Sequence, residues 1–543
     1  MGGGHSTVAV QGAPKAGRRE WIGLSVLALA CLLYAMDLTV LHLAIPTISA
    51  ELKPTSAQLL WIIDIYGFLV AGSLITMGTL GDRIGRRKLL MIGGAAFGAI
   101  SILAAFSNSA EMLIATRALL GLAGATVAPS TLSLIFSMFH DPRQRSTAVG
   151  LWIAAFSAGG AIGPVLGGVL LEHFWWGSVF LLAVPPMALL LVLGPRVLPE
   201  YRAPEAGKFD LISAGLSLCA VLAVIFGLKE LAQHGAEPRA VAAILGGLAL
   251  GAVFVRRQLT LADPMLDLQL FRIPAFSASL AINLLSIFVA FGYFLFVAQY
   301  LQLVVGLSPL RAGLWSLPSS IGFIVGSQVA PWIVRRYRPA QIIGVGLALA
   351  ALGLAVLTQV ETSGSLLALV VASLVVSLGL APVLTLTTDL IVGSAPPERA
   401  GAAAGISETC AELGGALGIA ILGSIGVAVY RRSLDATMPT SVPAEAIGAA
   451  RDTLGGAIGA AGQLPEETGA ALLAVARDAF LQGMHLTAGL ASAVAVAGIV
   501  LAVLVLRNLG SSEGSNEAGP GHSAPTEHEA IPRTEAAPIC ALD

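Results

Sequence analysis

Apolar residues in this chain fall in fourteen long runs separated by short polar stretches, and that pattern limits the fold more than any other feature. A bilayer core about 30 Å thick is crossed by roughly 20 helical residues. The runs lie at 21–45, 57–80, 89–107, 110–138, 145–171, 177–198, 209–232, 238–255, 274–305, 309–334, 339–360, 364–393, 400–430 and 483–506. Only 11% of the 543 residues are charged and 56% are hydrophobic. A soluble domain carries roughly 25% charged residues, so most side chains here cannot face water. In hydrocarbon the backbone must satisfy its own polar groups. The expected fold is therefore an all-α polytopic membrane protein.

Lys and Arg set the expected orientation. With the N-terminus inside, the even-numbered loops hold sixteen of them, including Arg83, Arg86, Arg87 and Lys88 after the second span. The short odd loops hold Lys53, Lys229, Arg239 and Arg311. Both termini are expected in the cytoplasm. The first run carries an Asp and is followed by no cleavage site, so it reads as a span and not as a signal peptide. The expected segments are a cytoplasmic 1–20, a six-helix bundle over 21–198 and an inserted helix pair over 209–255. A second six-helix bundle covers 274–506 and includes a long outer loop at 431–482, with a surface hairpin over 443–480. A disordered cytoplasmic tail over 507–543 completes the chain. A net charge of −2 points to no nucleic-acid partner. Cys31, Cys219, Cys410 and Cys540 form no disulfide or metal-site spacing. No phosphate-cradling loop and no nucleophile beside a base is present, which argues against ATP coupling and against an enzyme.

Three local patterns stand out. In "GTLGDRIGRRK", residues 78–88, Gly78, Gly81 and Gly85 are expected to allow a tight turn between two helices. Asp82 is expected to latch onto a neighbour, with Arg83 and Arg86 beside it. In "SAGGAIGPVLGG", residues 157–168, Gly159, Gly163 and Gly167 recur every four residues, as do Gly160, Pro164 and Gly168. Such rows let two helix backbones approach closely, and Pro164 can kink the span. Arg117 lies about seven residues inside the fourth span, where an unpaired arginine is costly, so it is expected to pair with a carboxylate.

Four carboxylates lie within spans: Asp37, Asp64, Glu408 and Glu412. The two glutamates are one turn apart on one helix face. Each acid costs about 2.5–3.5 kcal/mol at the bilayer centre, so the set should share a hydrated cavity and not face lipid. Asp64 lies roughly 10 Å and Glu412 roughly 18 Å inside their spans, at 1.5 Å per residue. A carboxyl there can carry a proton or hold a cation, and the two compete by the same charge. Asp389, near a span end, is expected to pair structurally with Arg399. His42, five residues after Asp37, reads as a polar contact at the membrane face. Tyr34, Met36, Trp61, Tyr66, Phe156, Tyr293, Phe296 and Tyr300 are candidate walls for a lipophilic cation.

These motifs together resemble those of the fourteen-spanning drug:proton antiporters of the major facilitator superfamily, close to exporters of quaternary ammonium compounds and dyes. The resemblance rests on "GTLGDRIGRRK", "ATRALLGLAGA", "SAGGAIGPVLGG", "MDLTVLHLAIP", "WIIDIYGF" and "SETCAELGGALGIA", and runs from about residue 20 to 507. It implies two six-helix bundles around a central cavity, alternating access, and Asp37, Asp64, Glu408 and Glu412 as proton- or cation-binding groups. It also implies a monomer in a bacterial inner membrane, driven by the proton gradient without cofactor, with protons and lipophilic cationic drugs or dyes as partners. An exporter of neutral, zwitterionic or metal-chelated compounds is the second expectation. The tenth span carries no acidic residue, a departure that bears on doubly charged substrates.

Overall fold

Among the described residues the backbone closes its hydrogen bonds as helices nearly throughout, as hydrocarbon requires. The computed structural model describes residues 15–506, apart from 55, 203–209, 235–236, 262–263, 267 and 362–365. The fourteen long helices are α1 Arg18–Leu52, α2 Ser56–Ile84, α3 Arg86–Ala105, α4 Ala110–Met138, α5 Pro142–His173, α6 Ser178–Val197 and α7 Leu211–His234. They continue as α8 Pro238–Thr260, α9 Pro274–Val304, α10 Pro309–Ile333, α11 Pro339–Leu357, α12 Leu366–Gly393, α13 Ala400–Thr437 and α14 Glu466–Leu506. Thirteen of them are long and apolar enough to cross a membrane. The remaining one, α10, has the length, but Ser316, Ser319, Ser320, Ser327, Gln328 and two internal prolines dilute its apolar character.

Prolines place several boundaries. Five helices start with Pro, whose fixed φ suits the first turn and whose missing N–H is not needed there. Asp141 and Ser308 cap two of them, accepting from the Gln144 and Arg311 amides. Prolines also break helices. The α4 ladder is interrupted at residues 125–126, where Pro129 cannot donate back to Ala125.

Two hydrophobic cores form. One is drawn from residues 24–198, with only Val392, Ala400 and Ala404 added from the other half. The second is drawn from residues 278–506. The halves meet along α2 against α13 and α5 against α10. Glycines allow these contacts: a side chain at Gly405 would run into the Leu74 carbonyl, and one at Gly150 into the Ser327 carbonyl. The inserted pair packs on itself through Gly227 and Gly247. It also docks on both halves, because Val221, Leu222, Ile225 and Phe226 of α7 pack with Phe68 and Ala71 of α2 and Leu413 of α13.

The loop expected over 431–482 is shorter in the structure. Helix α13 runs on to Thr437 and α14 already begins at Glu466, so residues 431–437 and 466–482 are helix and not loop. Counting apolar runs detects only the part of a helix that faces lipid. Here the helices continue beyond it, and Leu472, Ala476, Ala479 and Phe480 stay buried against protein. Two short helices, Ala444–Asp452 and Leu454–Ala461, fill the interval. They are pinned by Tyr430 donating to the Ala450 carbonyl and by an Arg451–Asp435 pair.

Candidate functional site

On the side of the basic loops, two contacts tie the halves together. Gly85, at φ +110°, supplies the turn between α2 and α3. Gly78 and Gly81, expected in that turn, instead lie inside α2, and Gly78 serves another purpose. Its missing side chain lets the Gly401 carbonyl at the start of α13 come close. Asp82 is thereby held, almost fully buried, at the N-terminus of α13. It accepts from the Gly401 and Ala402 amides at 3.1 and 3.0 Å and from Arg86 Nε at 2.9 Å. Free amides and the helix dipole favour an anion at this position. Arg86 also donates to the Ser133 carbonyl and stands over the Tyr201 ring, and Arg83 is buried alongside. The second tie joins Arg145 of α5 to Asp389 of α12 at 2.9 Å. Arg399, the expected partner of Asp389, instead donates to the Pro264 carbonyl. The local sequence offered Arg399 as the nearest cation, whereas the fold brings Arg145 from 244 residues away.

Deeper in the bundle, the spans bring the four acids to one region. Asp37 of α1 and Arg117 of α4 form an ion pair at 2.7 Å, with the arginine side chain only 2% exposed. Arg117 also donates to the Ile62 carbonyl and stacks 4.5 Å over Tyr66, so its charge is held on three sides. Asp64 of α2 pairs with Lys229 of α7, whose ammonium also lies 4.7 Å from the centre of the Phe68 ring. Glu408 and Glu412 of α13 are partly exposed and lie within Coulombic reach of each other, and Glu412 is within such reach of Lys229. Tyr34 and Tyr66 stand among these charges. Tyr34 is close to Glu408 and Glu412, and Tyr66 to Asp37, Arg117 and Glu412. An aromatic group continues from them: Tyr34 meets Tyr66 and Phe156 at 6.4 and 5.5 Å, and Phe156 meets Trp152 at 4.7 Å. The buried Tyr66 hydroxyl has no hydrogen-bond partner among the described residues.

The other expected positions lie elsewhere. Tyr293, Phe296 and Tyr300 belong to the core of the second half. Tyr293 meets Ser319, Phe296 packs on Phe480, and Tyr300 donates to the Glu361 carbonyl. Trp61 is 45% exposed at the rim, edge-on to Phe68. Met36 is buried beside Asp37 on α1. On α5, a side chain at Gly159 would collide with the Leu32 carbonyl of α1, and Gly163 and Gly167 are buried. Gly160 and Gly168 face open space, so that row makes no close approach. The side chains of Pro164 and His42 lie outside the described residues. Two members of the site were not singled out by sequence. Lys229 was counted as a loop cation, although its position inside an apolar run matched the signal that flagged Arg117. Trp152, whose indole donates to Thr131, carried no signal of its own.

Residues 27–419 match the model of the Major Facilitator Superfamily. The multidrug efflux pump LfrA of Mycolicibacterium smegmatis is 42% identical over 504 residues, covering 92% of this chain and all of that protein. The methyl viologen resistance protein SmvA of Salmonella typhimurium is 37% identical over 472 residues, covering 85% and 93%. Among solved structures, the human organic anion transporter MFSD10 superposes with a TM-score of 0.58 at 16% identity, covering 89% of this chain and 99% of that one. This last likeness concerns the fold alone.

Proposed function

This chain belongs to the Major Facilitator Superfamily and is a multi-pass membrane transporter, not an enzyme, and on that premise we propose that it exports lipophilic cations in exchange for protons. The observation that carries this reading is the grouping of Asp37, Glu408 and Glu412 about Tyr34 and Tyr66, with Asp64 joined to it through Lys229. The acids offer sites where a proton and a cation exclude one another, and the aromatic faces attract a cation that has shed its water. The names of LfrA and SmvA, a multidrug pump and a methyl viologen resistance protein, fit a cationic substrate.

In this reading Asp37, Asp64, Glu408 and Glu412 exchange protons or hold the cation, and Arg117 modulates how readily Asp37 does so. The basic loops face the cytoplasm of a bacterial inner membrane. The ties of Asp82 to α13 and of Arg145 to Asp389 then close the cytoplasmic side, and alternating access proceeds by releasing them. No cofactor takes part, and the energy comes from the proton gradient.

Inverted vesicles test the reading. With an imposed inside-acid gradient, adding ethidium should dissipate ΔpH in proportion to its uptake. Glu408→Gln and Glu412→Gln should each suppress that response at normal expression. A pump that accumulates ethidium equally well with and without ΔpH would rule out proton exchange. A response to uncharged drugs alone would favour the reading in which the substrate is neutral or zwitterionic.

A further inference from the structure

The inserted pair brings a cation to this site. Lys229 reaches from α7 to Asp64 on α2, lies over the Phe68 ring, and stands within Coulombic reach of Glu412 on α13. We propose that Lys229 is a specificity-determining residue: a tethered cation that occupies Asp64 and thereby sets the charge of the solute the site accepts. The proposal rests on the cation-export reading above.

The two basic residues of the site differ in how they are held. Arg117 is 2% exposed and held by Asp37, the Ile62 carbonyl and the Tyr66 face, so it cannot swing away without giving up all three contacts. Lys229 is 40% exposed, on a flexible stem, and among the described residues it is held by one carboxylate, Asp64, and one aromatic face, Phe68. An ammonium is a compact point charge that can swing away and be hydrated, whereas a buried guanidinium in three contacts cannot. A solute cation that takes Asp64 must displace Lys229, and in doing so it inherits the Phe68 face, which suits a lipophilic cation. With Lys229 in place, the Asp64 charge is matched by the ammonium. Without it, Asp64 and Glu412 form a wider negative pair, which favours a solute with two separated positive charges.

The test is equilibrium binding to the purified full-length protein in detergent, with methyl viologen as the dication and ethidium as the monocation. For wild type, Lys229→Met, Lys229→Arg and Asp64→Asn/Lys229→Met, the ratio of the two affinities is measured. Lys229→Met should move the ratio about tenfold toward methyl viologen, within the 5- to 150-fold range of couplings between sites. Lys229→Arg, which keeps the charge, should hold the wild-type ratio, and the double variant, which removes both charges, should restore it. Lys229→Gln provides the same reading if Lys229→Met does not fold. An unchanged ratio in both neutral variants, with wild type binding both dyes, would overturn the role of Lys229 and leave cation export standing. A double variant that stays shifted would also overturn it, since the effect would not act through Asp64. Wild type binding neither dye would remove the export reading and this assignment with it.

Discussion

Arg117 and Lys229 are both cations paired with carboxylates in the membrane, but losing the carboxylate should have different consequences at each. Breaking a buried pair leaves an uncompensated charge at a cost of about 3–5 kcal/mol. Arg117 is buried, so Asp37→Asn should lower stability as well as transport. The double variant Asp37→Asn/Arg117→Met should recover thermal stability in detergent but not ΔpH-driven efflux. Recovery of neither would mean the pair is not the unit that matters. Lys229 is 40% exposed and can be hydrated once released. Asp64→Asn should therefore leave the unfolding temperature nearly unchanged while efflux falls. A large drop in that temperature would show that Lys229 has no route to water.

Helix packing sorts the α5 glycines into two kinds. A side chain at Gly159 meets the backbone of α1, which cannot rotate away as a side chain end can. Overpacking costs typically about 1–3 kcal/mol, so Gly159→Leu should abolish efflux with reduced expression. Gly168→Ala, which meets open space, should be silent in the same assay. Equal loss in both would indicate that helix flexibility, not close approach, is what α5 needs. At the start of α7, Asp210 accepts from Arg257, Ser213 and the Ile212 amide. The Arg257 hydrogen bond, first among these, holds its carboxyl well below the usual carboxylate range. Depression of a folded-state pKa adds stability above the unfolded value, near 3.9, that is lost as pH falls through the folded value. The tie between α7 and α8 should therefore be fully present from pH 8 down to about 4. Asp210→Asn should lower thermal stability slightly and equally across that range, since exposed pairs are worth little. A variant difference that grew between pH 8 and 5 would contradict this.

Each half has its own core, and the ties on the basic-loop side cross the seam between them. A carboxylate cap on helix amides is worth roughly 0.5–2 kcal/mol, and a partly exposed ion pair about 0–1 kcal/mol. Removing both ties should shift the balance between closed and open forms by roughly 2- to 150-fold. With spin labels at positions 88 and 398, the distance distribution should lengthen or broaden in Asp82→Asn/Asp389→Asn relative to the unsubstituted protein. An identical distribution would mean that α2–α13 and α5–α10 packing closes this side without help from the ties. Helix α7 packs on both α2 and α13, so it lies across the seam between the halves.

The sequence by itself determined the class of the molecule, nearly all of its spans and where charge is buried within them. Hydrocarbon imposes helices of a set length, and a charge inside one is costly enough to be conspicuous in a one-dimensional reading. Asp37, Asp64, Arg117, Glu408 and Glu412 were legible for that reason, and so was the glycine turn before α3. Partners were not, because a pairing depends on which helices become neighbours. Only the tertiary structure decided that Asp389 meets Arg145, that Asp82 caps α13, and that Lys229 reaches Asp64 across 165 residues. It also decided that Tyr293, Phe296 and Tyr300 pack away from the acids, since an aromatic residue in a span looks the same from the sequence whether it faces core, lipid or solute. Local cost is written in the chain, whereas the compensation for it comes from elsewhere in the fold.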